Sequence, residues 1–433
     1  MSDAAGRPER GVGGRAREVL LIRAFALFWS ATTMRALGGT IAGVAFQVLI
    51  VSAIGASAFE IGVLSSLSVV PYLFLGLIVG ALMDRWRRQR TLVVTSIGRA
   101  VVLGTVPVLL LLDALGFWSL AAVILVLGIL TLFADSAFQP FLPHIVPRGS
   151  LVMANARLGQ SETVAGTAGP ALGGVMLNLL GAPLLFAFDA AMNAVSAVLQ
   201  SRIAVDEAPR SARAHGRHIG HDILEGMRYT YRHRTLRPLA LSVHVWFLGN
   251  SIVATVFAVF VLRELRLEPW AFGLALACGG VGGFVGALLA PALGRRMGAG
   301  RAILLGRMLV VVPWAAVALS PVSASTDPVV LLLLISSAQF VHGLSMGVED
   351  ANEMGYRQAA APDAMQGRMN STIRTMNRAI FFFGALLAGA LATFWGYSLT
   401  LGAAAVIFAA AAAVVAFSPL RLARHDDAAS LDT

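Results

Sequence analysis

Lysine is missing from this sequence: all 33 basic residues are arginine, against 23 acids. Charge of either sign is scarce, at 13% of 433 residues, where a water-soluble domain carries about 25%. Cysteine occurs once, at Cys278, which excludes an internal disulfide and a cysteine-based metal site. Without lysine there is no Gly-rich phosphate loop closed by Gly-Lys-Ser/Thr, so ATP cannot be the direct energy source through that motif. No catalytic constellation stands out, and neither an enzyme nor a bound cofactor is expected. A net charge of +10 would point to nucleic acid in a soluble chain, but the arginines sit in loops between apolar runs, which is a topological pattern. No nucleic-acid partner is expected; the partner is the lipid bilayer.

Apolar residues are abundant instead, at 57%, and the mean hydropathy is +0.77. Blocks long enough to cross a bilayer recur from Phe25 to Phe417. Uninterrupted runs such as Leu73 to Leu82 or Ala403 to Ala416 are not the short alternating strands of a β-barrel. Twelve spans are predicted, at 25–52, 58–82, 91–112, 117–138, 156–180, 183–203, 238–262, 270–293, 302–320, 329–350, 369–394 and 397–418. With the N-terminus taken as inside, the inward segments hold 26 of the 33 arginines and the outward ones only Arg263 and Arg266. Arg35, Arg99, Arg307, Arg374 and Arg378 fall within spans. That asymmetry predicts a multi-pass protein of the inner or plasma membrane with both termini cytoplasmic.

The longest polar interval, Arg202 to Arg237, divides the chain into a tail (1–24), a six-helix half (25–203), a linker (204–237), a second six-helix half (238–418) and a second tail (419–433). Within the linker, Asp222 to Arg232 has helical spacing and mixed charge and predicts a short surface helix. The halves also repeat each other. A shift of 215 aligns Pro147, Asn155, Gly169 and Gly174 with Pro362, Asn370, Gly384 and Gly389; a shift of 211 aligns Gly62, Leu82, Arg85 and Arg90 with Gly273, Leu293, Arg296 and Arg301. The expected fold is an all-α membrane protein, twelve transmembrane helices in two pseudo-symmetric halves, with substrate bound between them near the midplane.

Two stretches stand out. Gly80-Ala-Leu-Met-Asp84-Arg85-Trp86-Arg87-Arg88-Gln89-Arg90 joins the second and third spans, and a positive-inside anchor accounts for its arginines but not for Asp84. In the fifth span Gly166, Gly169, Pro170, Gly173 and Gly174 crowd into nine residues. Small residues allow close helix approach and proline removes a backbone bond, which yields a kinked, tightly packed helix whether or not it carries a function.

These stretches resemble signatures of the major facilitator superfamily. Gly80, Asp84, Arg85, Arg88 and Arg90 match its Gly-x-x-x-Asp-Arg loop, with Arg87 where Gly is usual; Gly169-Pro170 and Gly173-Gly174 match the Gly-Pro-x-x-Gly-Gly run associated with antiporters. Phe186 to Asp189, Glu225-Gly226, Tyr356-Arg357-Gln358 and Gly367-Arg368 are similar to the drug exporter branch that includes macrolide and enterobactin efflux proteins. The resemblance implies export, and a cytoplasmic latch built on Asp84 and its arginine neighbours. Gly39 stands where many members carry Asp, Phe383 where Pro is common, and Arg295 at the repeat position of Asp84. These departures bear on the proton pathway and a second latch rather than on the fold.

A charge within a span costs roughly 2.5–3.5 kcal/mol on insertion scales, so each one is a candidate. Glu162 and Asp189 are the expected proton carriers, because a coupling carboxylate must alternate between protonated and charged forms; permanent pairing with an arginine is the competing reading. Arg35, Arg374 and Arg378, with Gln47, Asn193, Asn250, Gln339 and Asn377, are the expected cavity and substrate residues. Arg99 and Arg307 are expected to snorkel toward a membrane surface. Glu349, Asp350 and Glu353 are expected at the inner end of the tenth span, facing a loop or a gate, and His244 and His342 as interhelical hydrogen bonders. The function expected is a monomeric secondary transporter, a proton-coupled exporter of amphipathic small molecules working by alternating access. An importer or facilitator on the same fold is the alternative.

Overall fold

The computed structural model describes residues 19–83, 86–205, 207, 219–320 and 326–424. Twelve long apolar helices run through these residues. They are α1 (Arg23–Val48), α2 in two pieces (Ala58–Leu67 and Val70–Met83), α3 (Arg88–Leu111), α4 (Phe117–Ile145), α5 (Leu151–Leu180) and α6 (Ala182–Ser201). A connecting helix, Ile219–Arg232, leads to α7 (Leu236–Val259), α8 (Pro269–Met297), α9 in two pieces (Ala299–Leu309 and Val311–Leu319) and α10 (Pro328–Ala360). The last stretch, Asp363–Ala416, breaks at Gly396 into α11 (363–395) and α12 (397–416).

Local chemistry sets the boundaries. Ser57 begins α2 with a capping box, its hydroxyl accepting from the Glu60 N–H while the Glu60 carboxylate accepts from the Ser57 N–H. Pro71 has no N–H to give, and α2 breaks just before it. Gly181, at φ 77°, turns the chain between α5 and α6, and Gly396, at φ 78°, does the same 215 residues later. The π-helical turns that end α1 and α7, Leu49–Ala53 and Phe260–Glu264, are repeat mates as well, 211 apart.

Hydropathy misplaces four ends by five residues or more. α4 continues to Ile145 rather than stopping at 138, α5 starts at Leu151 rather than 156, α10 runs to Ala360 rather than 350, and α11 starts at 363 rather than 369. In α10 the added turns are polar, and one side of them is buried. Asn352, Glu353 and Tyr356 are buried against neighbouring helices, and hydropathy reports affinity for lipid, not helix length. The predicted linker helix is present, and part of it is packed: Arg368 of α11 donates to the Glu225 carboxylate at 2.6 Å, and Gly226 sits against the Arg368 carbonyl.

The cores show how the halves meet. One continuous apolar core joins both halves toward the face whose loops are poor in arginine, mixing Ile41, Leu64 and Phe186 with Phe257, Trp314 and Phe408. Toward the arginine-rich face it splits in two. Phe25, Phe28, Phe141 and Leu158 pack within the first half, and Leu236, Tyr356, Met369 and Leu420 within the second. The molecule is closed on the arginine-poor face and parted on the other.

Candidate functional site

Two helix pairs close the arginine-poor face, α2 with α11 and α5 with α8, and each crosses at glycine on both sides. A Cβ built on Gly62 would lie 3.0 Å from the Gly389 Cα, and one on Gly273 would lie 2.9 Å from the Gly174 Cα. The carbonyls of Ala385 and Pro170 crowd the same two points, so only hydrogen fits. Gly62 and Gly273 are repeat mates, as are Gly389 and Gly174, so each seam is the two-fold image of the other. The symmetry extends inward, where Gly169 packs on Thr40 of α1 and Gly384 on Ser251 of α7. Arg263 adds a link without a counterpart, since Ser52 stands at its repeat position: its guanidinium donates to the carbonyls of Val51 at 2.6 Å and Ala56 at 2.8 Å. Below the approach of Gly280 to Thr167 the α5–α8 seam opens, and Thr163 and Phe284, one turn further on each helix, are exposed.

At mid-depth a polar link crosses the other seam. The Tyr72 hydroxyl on α2 donates to Asp135 Oδ2 of α4 at 2.8 Å, and the Arg378 guanidinium of α11 lies 3.3 Å over the Tyr72 ring. A carboxylate of one half thus reaches a cation of the other through a single phenol. The repeat positions of Tyr72 and Arg378 hold Gly283 and Thr163, so the α5–α8 seam has neither ring nor cation at that level. Behind Asp135, the charges of Arg35, Arg99 and Asp189 act on one another. Arg99 donates to the Thr131 hydroxyl at 2.7 Å, and Asp189 is buried against Gly38 and accepts from Asn193 at 2.9 Å. Arg35, Arg99 and Asp135 share a void of about 10 Å³, room for no more than a single water.

The second half carries its own buried set. Arg307, 1% exposed, donates to Glu349 at 2.7 Å and Glu353 at 3.1 Å, and lies 5.4 Å from the centroid of the Trp246 ring. Neither Arg307 nor Arg99 snorkels, because carboxylates and hydroxyls on the neighbouring helix offer nearer partners than the membrane surface. Glu349 and Glu353 are internal to α10 rather than at a loop, and only Asp350 beside them is exposed. Glu349 Oε2 has no hydrogen-bond partner among the described residues. Farther along, Tyr231 of the connecting helix meets His244 at 2.7 Å, and His244 meets Asn377 at 2.7 Å. Burial raises the Tyr231 phenol above its ordinary pKa, which keeps it neutral. Trp314 donates to His342 at 2.8 Å.

The sequence candidates are therefore scattered rather than assembled. Glu162 is exposed on α5, one turn before Gly166, and is not among the groups that act on Asp189. Arg35 belongs with Asp189; Arg378 carries the cross-half contact, and Arg374 is exposed one turn away. Asn193 and Asn377 are buried and already bonded, Gln339 is buried against Gly279 of α8, and Gln47 and Asn250 are half-buried. In the loop motif, Asp84 and Arg85 lie outside the described residues. Gly80 and Arg90 are exposed, while Arg88 is buried 3.3 Å from His144. In the glycine run, Gly169, Gly173 and Gly174 are packing points and Gly166 has open space. Tyr72 and Arg263 were not among the sequence candidates, and Asp135 was one only as a charge within a span. Arg263 carried a signal, as one of two outward arginines, but nothing in the sequence marks Tyr72.

Comparison with known proteins adds three results. A family model described as transmembrane secretion effector matches residues 18–433. The multidrug efflux pump Tap of Mycobacterium tuberculosis is 29% identical over 390 residues, covering 83% of this chain and 85% of its own, and Tap of Mycolicibacterium fortuitum is 26% identical over 373 residues, covering 84% and 88%. Among solved structures, a bacterial homologue of the iron transporter ferroportin in an inward-facing state superposes with a TM-score of 0.71 at 17% identity, covering 92% of this chain and 98% of that one. The nucleoside transporter NupG gives 0.74 at 11% identity, covering 91% and 99%.

Proposed function

The chain belongs to the transmembrane secretion effector family of the major facilitator superfamily, and from that premise we propose that it exports amphipathic small molecules by alternating access, with protons as the driving ion. The carrying observation is the one-sided closure: a shared core and two glycine seams on the arginine-poor face, separate cores on the other. The arginine count supports placing the parted face and both termini in the cytoplasm. This is then the state in which an exporter loads its substrate. The names of the relatives support a drug-like cargo. Arg374, Gln47 and Asn250 are proposed to meet it, and Asp84 with its arginine neighbours to latch the cytoplasmic side after the switch.

For coupling, Glu162 and Asp189 remain the proposed carriers, and the geometry supports adding Asp135. A proton on Asp135 would cancel the charge that Tyr72 donates to and that balances Arg378, loosening the cross-half link. The test is accumulation of a fluorescent amphipathic dye in cells expressing wild type, Glu162→Gln, Asp135→Asn or Asp189→Asn, with and without a protonophore. Extrusion that collapses with protonophore and in a well-expressed carboxylate variant supports proton-driven export and locates the carrier. Dye uptake driven outward to inward in intact cells would instead support an importer.

A further inference from the structure

Between α3 and α4, near the arginine-rich face, the first half carries a groove of about 600 Å³, within the size range of small-molecule sites. It opens on the side of α4 away from the cross-half link. Phe133 lines it, whereas Asp135, which meets Tyr72 and faces Arg378, is two residues on and so points away by about 200° around the helix. The walls are apolar, with Val94 and Leu130 beside Phe133, and the deep end closes where Gly98 packs on Leu130. Trp86 stands at the mouth, stacked on Phe133 with ring centroids 5.8 Å apart and planes at 14°. Arg87 and Arg90 complete the mouth; both are exposed, and neither has an ion-pair partner among the described residues.

A positive-inside anchor explains two arginines but not an apolar slot built against them. A slot at acyl-chain depth with two free guanidinium groups at headgroup depth is complementary to a phospholipid of net negative charge, because a zwitterionic headgroup brings its own cation. We propose that this groove binds an anionic phospholipid, with its phosphate between Arg87 and Arg90 and one acyl chain along Val94, Leu130 and Phe133. Trp86 supplies the interfacial wall. The site does not depend on the direction of transport or on its coupling ion.

The experiment titrates the delipidated full chain in detergent with dibrominated phosphatidylglycerol or dibrominated phosphatidylcholine. The readout is quenching of Trp86 fluorescence, taken as the difference between wild type and Trp86→Phe. At roughly five-fold per arginine, phosphatidylglycerol should quench at about 25-fold lower concentration. That preference should vanish in Arg87→Gln/Arg90→Gln. Val94→Phe, which fills the slot and leaves the arginines, should weaken quenching by both lipids and serves alone should the double variant misfold. Equal quenching by the two lipids overturns the proposal, as does a preference that survives the double substitution or quenching indifferent to Val94→Phe.

Discussion

Tyr72 does two things at once: its hydroxyl donates to Asp135 and its ring carries Arg378. Phenylalanine keeps the ring and loses a hydrogen bond to a charged acceptor, about 1.5–3 kcal/mol; leucine also loses the cation–π contact, about 0.5–2 kcal/mol. Initial rates of dye extrusion, normalised to protein in the membrane, should fall in the order wild type, Tyr72→Phe, Tyr72→Leu. Equal rates in all three would remove the link from the mechanism. In the second half, Arg307→Gln strips the cation from buried Glu349 and leaves Glu353 with Arg357 alone, a loss of about 3–5 kcal/mol. Glu349→Gln leaves Arg307 its bond to Glu353 and should cost much less, so melting in detergent should separate the two variants clearly. The charges themselves were legible in the sequence, because each stands out against an apolar span. Their pairing was not, because the partners of Arg99 and Arg307 come from neighbouring helices 32 and 42 or more residues away.

Among the helices, the glycine seams are where the proposed switch between states is tested. A side chain on Gly62 or on Gly273 meets backbone that cannot move aside, at about 1–3 kcal/mol of overpacking, which shifts the balance between states by roughly 5- to 150-fold. Gly62→Val and Gly273→Val should therefore impair extrusion alike, since the two positions are images of each other. Gly166→Ala, with nothing within 4 Å, should be close to wild type. A strong difference between the two valine variants would mean that the seams do not move together. The glycines were visible as repeat mates from the sequence alone, because a two-fold repeat conserves its close approaches. Which glycine met which was not visible, and the polar end of α10 was lost altogether because burial against protein leaves no hydropathy signature.

For the whole molecule, the state described here makes a sided prediction. In a Cys278→Ser background, Thr163→Cys should react with a membrane-impermeant maleimide in inverted vesicles and be protected in intact cells. Adding Arg263→Gln removes two bonds that hold α7 to the α1–α2 connection, and labelling from outside should rise. Protection in vesicles and labelling in cells would reverse the proposed orientation. The sequence by itself determined the solvent, the number of spans, their division into two repeated halves and the residues too charged to be idle, because each of these is a property of composition or spacing along the chain. Only the tertiary structure decided that Gly62 meets Gly389 and Gly174 meets Gly273, that Tyr72 bridges Asp135 to Arg378, and that one face is shut while the other is parted. Those are contacts between helices far apart in sequence, and packing in three dimensions, not the order of residues, selects which of many apolar faces touch.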